Sequence, residues 1–110
     1  MYERKHNWRE VIKAIDPELE TRISGYTGYA LGTESEIPRK YKELILMACS
    51  AALRYGSSIR THGSEAMYYG ATDKEVIEAL SLASLSAGFT AFIDGIEALG
   101  DKLTLDDKKP

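Results

Sequence analysis

Ten consecutive residues, Leu44 to Leu53, are apolar except for Ser50. The run is too short to cross a bilayer. It also lacks the apolar–polar alternation of a strand with one wet face. Pro38 stands shortly before it, and Tyr41, Leu44, Ala48, Ala51 and Tyr55 recur at helical spacing. This pattern predicts a helix from Pro38 to about Arg54, apolar on nearly every side. Such a helix has to be covered all round, by its own domain or by another subunit.

The rest of the chain can supply that cover only as further helices, because no segment alternates like a strand. Asn7 and Glu10 read as a capping box opening a first helix with the stripe Trp8, Val11, Ile12 and Ile15. Asp16-Pro17 closes it and opens a second, with Leu19, Ile23, Tyr26 and Ala30 on one stripe. In this second helix Gly25 and Gly28 either weaken the helix or admit a close neighbour, and Gly32 ends it before a polar loop to Ile37. Thr72 and Glu75 form a capping box for a later helix whose Val76, Ile77, Leu80, Leu82 and Leu85 again leave little polar face. A last helix carries Phe89, Phe92, Ile93, Ile96 and Leu99, with a small-residue stripe of Ala91, Gly95 and Ala98 for close packing. After Lys102 the charged tail is expected to fray. The reading is all-α, about six helices, one domain over residues 1–110. Two helices apolar nearly all round imply an oligomer, unless both lie at the centre of a monomer.

Charge and cysteine content exclude several classes of function. With 14 basic and 17 acidic residues, net charge −3, there is no basic surface for nucleic acid. The single Cys49 can form no internal disulfide and no zinc cluster; on the apolar third helix it reads as an inert packing residue. Neither a metal nor another cofactor is called for. Met1 to Trp8 is polar, with no apolar core of a signal peptide, so a cytoplasmic location without membrane attachment is expected.

The chemistry gathers between Arg54 and His62. Gly56 and Ser57 read as the break between two helices, with Ser57 as the cap of the second. From Ser58 on, Ile59, His62, Ala66 and Tyr69 share one stripe, so His62 is turned inward and Tyr69 reads as core. An inward imidazole is either a hydrogen-bonded structural residue or a general acid and base near neutral pH. Glu43, by pattern alone, is an exposed acid early in its helix. Ser58 reads as a first-turn residue bonding backbone, or as a hydroxyl for a substrate. Tyr55 is a core aromatic or a pocket hydroxyl. Arg54 and Arg60 are surface cations or anchors for an acidic substrate.

Tyr41-Lys42-Glu43-Leu44-Ile45, Ala51-Ala52-Leu53-Arg54-Tyr55, Ile59-Arg60-Thr61-His62 and the segment from Gly70 to Leu80 resemble the carboxymuconolactone decarboxylase and alkylhydroperoxidase D-like family. So does Ala87-Gly88-Phe89-Thr90-Ala91, where Pro often stands in place of Thr90. The likeness spans roughly Glu36 to Leu99. It implies an all-helical fold assembled as trimers or hexamers. One branch of that family reduces peroxides with a Cys-x-x-Cys pair, a following His and a preceding Glu. On this chain the Glu falls on Glu43, the His on His62, and the two cysteines on Tyr55 and Ser58. Thiol peroxidase chemistry needs an attacking thiolate and a resolving thiol, and neither Tyr nor Ser can replace them. The decarboxylase branch works without cysteines and keeps the His. The resemblance therefore implies Glu43 facing His62 as a catalytic pair, with Tyr55 and Ser58 beside them around a small organic acid or lactone, and no cofactor; Arg54 and Arg60 are expected as substrate-binding anchors from guanidinium chemistry alone. The competing expectation is an oligomeric binding or assembly protein that keeps the fold without the chemistry.

Overall fold

The computed structural model describes residues 7–32 and 35–103. The tail expected to fray lies, from Thr104 on, outside the described residues, as do Thr33 and Glu34 of the expected loop. Among the described residues there are six α-helices, one short 3-10 turn and no strand. None of the helices is long and apolar enough to cross a membrane. The chain divides into two compact units, residues 1–33 and 34–110.

The first unit holds α1 (Trp8–Ile15) and α2 (Pro17–Gly32). Asp16 serves both: its N–H bonds back to the carbonyl of Ile12, and its carboxylate accepts from Leu19 N–H at 3.1 Å. Asn7 does cap α1, but by accepting from Arg9 N–H at 2.8 Å rather than from Glu10 as in a capping box. Asparagine readily closes such a turn onto the N–H two residues on. Arg9 reaches across to α2, donating to Ser24 Oγ at 2.8 Å, and Ser24 in turn donates to Glu20 at 2.6 Å. Neither helix contains a buried residue.

The second unit is a four-helix arrangement: α3 (Arg39–Ala52), α4 (Gly56–Tyr68), α5 (Asp73–Ala87) and α6 (Phe89–Leu99), followed by a 3-10 turn at Gly100–Lys102. α3 packs on α4 and α5, and α6 closes against the same two neighbours. Met47, Ile59, Val76, Leu80 and Leu99 are completely buried between them. Close approach depends on two glycines. A Cβ on Gly63 would lie 2.4 Å from Leu99 Cδ2 and 3.2 Å from Met47 Sδ; one on Gly95 would lie 2.5 Å from Leu80 Cδ2. The Thr72–Glu75 capping box is complete in both directions.

The all-round apolar helices are covered here on one side only. Leu44, Met47 and Ala51 of α3 are buried, while Ile45 and Leu53 are exposed. On α5, Val76, Leu80 and Ala83 are buried, and Leu82 and Leu85 are exposed. Cys49 falls on the open side of α3 and is exposed, contrary to its reading as a packing residue. An all-round apolar pattern does not say which side its own chain covers.

Candidate functional site

The turn between α3 and α4 is a Schellman motif: Tyr55 N–H bonds the carbonyl of Ser50 and Arg54 N–H that of Ala51, both at 3.0 Å. The left-handed position this requires is filled by Arg54, at φ 61°, where glycine would be the ordinary choice. α4 ends the same way, with Gly70 at φ 104° in the corresponding place. Because the first turn closes so tightly, α4 begins at Gly56 with Tyr55 as its N-cap. Ser57 therefore lies inside the first turn and is not the cap expected of it.

This tight reversal lays α3 against α4 and brings their facing residues together. Ser50 meets Ser58, with 2.8 Å between hydroxyl oxygens. Met47 packs at Gly63. Glu43 meets His62, and Arg39 reaches Glu65 and Tyr69 at the far end of α4.

Glu43 is the one acid in the described core and is 1% exposed. Its two oxygens are taken separately. Arg39 Nε donates to Oε2 at 2.7 Å, and His62 Nδ1 lies 2.7 Å from Oε1. A buried carboxylate is costly unless its charge is matched and its lone pairs are used. Here both conditions are met. The Arg39 pKa is raised above the ordinary guanidinium value, chiefly by the hydrogen bond to Glu43, with partial burial working the other way. His62 meets Glu43 through Nδ1, so Nε2 is the ring nitrogen that lies outside that bond. His62 keeps 23% of its side chain exposed.

Nothing in the sequence marks Arg39 as a site residue. Its position four residues before Glu43 resembles an ordinary solvated helix pair. What separates it from one is the burial of its partner. Its guanidinium also stacks over the Tyr69 ring, 4.6 Å from the centroid, and lies 3.8 Å from Glu65. Tyr69 thus serves as the base of this stack on a partly exposed surface and is not core.

The other expected site residues separate into two groups. Ser58 lies one turn before His62 and is bonded to the buried Ser50; Tyr55 lies half exposed at the N-cap of α4. Arg54 and Arg60 instead secure helix ends. Arg54 donates to the carbonyl of Ala87 and pairs with Asp94 at 3.6 Å. Arg60 donates to the carbonyls of Ala98 and Leu99 and pairs with Asp101 at 2.9 Å. A groove of about 400 Å³ between α3 and α5 is lined mainly by Tyr41, Leu44, Ile45, Ala79 and Leu82, and contains none of the expected site residues. Among the described residues no three His, Cys, Asp or Glu side chains are gathered as a metal ion requires.

The model of one family, described as the carboxymuconolactone decarboxylase family, matches residues 17–101. That match begins at α2, well before the segment in which the likeness is visible by eye. No curated protein matches the chain.

Proposed function

The chain belongs to the carboxymuconolactone decarboxylase family, and from that premise we propose that it is a cofactor-independent enzyme acting on a small organic acid or lactone, with His62 as its general acid and base. The observation that carries this reading is the 2.7 Å contact between His62 Nδ1 and the buried Glu43. Glu43 orients the ring through Nδ1, and Nε2 exchanges the proton. In decarboxylation the bond to the leaving carboxylate breaks, carbon dioxide departs, and the electron pair is held by the conjugated remainder of the substrate. A proton is then delivered to carbon through Nε2 of His62 and is replaced from water. Ser58 and Tyr55 contribute hydroxyl contacts to the substrate. The sulfur chemistry of the peroxidase branch is unsupported, because Tyr55 and Ser58 stand at both thiol positions and Cys49 is a lone thiol. The exposed apolar faces of α3, α5 and α6 support a homo-oligomer; the trimer or hexamer and the cytoplasmic setting come from the family likeness and the polar N-terminal sequence.

A second reading has one observation on its side. Arg54 and Arg60, the expected anchors for a substrate carboxylate, are bonded to helix ends, and this favours an assembly protein that has kept the pair without the reaction. Turnover of a panel of lactone and unsaturated acids separates the two. The enzyme reading expects activity in the parent and a loss of about 10²–10⁴-fold in His62→Gln. A parent that neither binds nor converts any of them leaves the assembly reading standing.

A further inference from the structure

The residue that decides how His62 can work is on the opposite side of Glu43. A buried carboxylate requires a positive partner. If His62 were the sole candidate, it would have to remain imidazolium as counter-ion, able to give a proton but reluctant to take one. Arg39 changes this. Its Nε donates to Glu43 Oε2 at 2.7 Å, while Oε1 is left for His62. Arg39 is itself held from the other side by the Tyr69 ring and by Glu65 at 3.8 Å, so its planar donor is fixed in direction. The groups facing the pair are thus Arg39 from α3 and Glu65 and Tyr69 from the end of α4.

We propose that Arg39 is a positioning residue: by neutralising Glu43 it frees His62 from the counter-ion role and lets the imidazole hold one neutral tautomer, Nδ1 protonated and Nε2 bare. Arg39 touches no substrate in this scheme and acts only through Glu43. The proposal rests on the reading of His62 as acid and base, but its primary test needs no turnover.

The ring nitrogens of His62 are observed by 15N NMR on labelled protein, with His62→Gln separating its signals from those of His6. In the parent, at mildly alkaline pH, one ring nitrogen carries a proton and the other is bare, in the pattern of the Nδ1–H tautomer. In Arg39→Gln, or in Arg39→Met should the first variant not fold, that single-tautomer pattern is lost. Arg39→Lys, which keeps the charge, restores it in part. A folded variant without the guanidinium that gives the parental spectrum overturns the assignment. Where a substrate is in hand, kcat falls about tenfold in Arg39→Gln with KM little changed, as for other partners that orient a reacting group from behind. Tautomer loss in a protein with no turnover keeps the assignment of Arg39 and rejects the enzyme. A parental spectrum alongside turnover lost in His62→Gln does the reverse.

Discussion

Each unit of the chain contains an arginine network and a pair of helical glycines, and they mean opposite things. In the first unit Arg9, Ser24 and Glu20 bridge α1 and α2 with the Arg9 side chain 40% exposed and that of Glu20 18%. In the second, Arg39, Glu43 and His62 are strung around a carboxylate that is 1% exposed. Gly25 and Gly28 of α2 face open space within 4 Å, whereas Gly63 and Gly95 stand where a methyl group would collide with Leu99 or Leu80. Both networks join an arginine to a glutamate. What differs is how closely each is enclosed by neighbouring side chains, and this is what turns an ion pair into a site and a helix-weakening glycine into a packing requirement.

The largest effect expected from this contrast is at Glu43. Glu43→Ala removes the acceptor for both Arg39 and His62 and leaves a void between α3 and α4. Breaking a buried charge pair typically costs 3–5 kcal/mol, and about 3 kcal/mol is expected here because Arg39 and His62 can each turn partly to water. Glu20→Ala, which strips the corresponding acid from the α1–α2 network, should cost about 0.5 kcal/mol or less. Denaturant unfolding of both variants measures the difference. Equal costs would mean that burial of Glu43 is not what distinguishes the two networks.

How far this contrast was legible in the sequence depended on the kind of information each residue carries. The Thr72–Glu75 capping box is local and legible, because four residues suffice to specify it. The all-α fold and the order of its helices followed from periodicity in the same way. The start of α4 was misplaced because the left-handed residue of the preceding turn is Arg54, which has no sequence mark of that conformation. By pattern Glu43 looked exposed, and only its spacing from His62 in a family likeness suggested otherwise. The deciding quantity is the rotation of α3 about its axis, set by the residues of α4 and α5 that pack on it. Arg39 and Ser50 were passed over for the same reason, since each becomes notable only through its partner across the helix pair. Cys49 shows the limit from the other side: a helix apolar all round gives no indication of which face stays open.

Gly95→Ala tests the packing half of the contrast. Alanine favours a helix over glycine by about 1 kcal/mol. Against that, the new methyl would meet three atoms of Leu80, the nearest at 2.5 Å, and Leu80 is completely buried. Overpacking of this kind costs about 1–3 kcal/mol, so a net loss of about 1 kcal/mol is expected in thermal unfolding. A stabilised variant would show that Leu80 can change rotamer without disturbing the α5–α6 contact, and that the small-residue stripe of α6 is not a steric requirement.

Gly28→Ala carries the smallest expected effect and bears on the exposed side of the comparison. Nothing lies within 4 Å of a Cβ at this position, so propensity and the lower entropy of the unfolded chain act unopposed. A gain of about 0.5–1 kcal/mol follows, visible as slower hydrogen exchange of the α2 amides with the exchange of α3 to α6 unchanged. The sign is the informative part. A single chain offers this glycine no neighbour, yet α2 also exposes Tyr26 and Tyr29, at 75% and 78%. Should the methyl destabilise the assembled protein while stabilising it at dilutions where the assembly separates, the cost must come from another subunit lying against α2. Gly28 would then belong with Gly63 and Gly95 as a residue kept small for a close neighbour, that neighbour being in another chain.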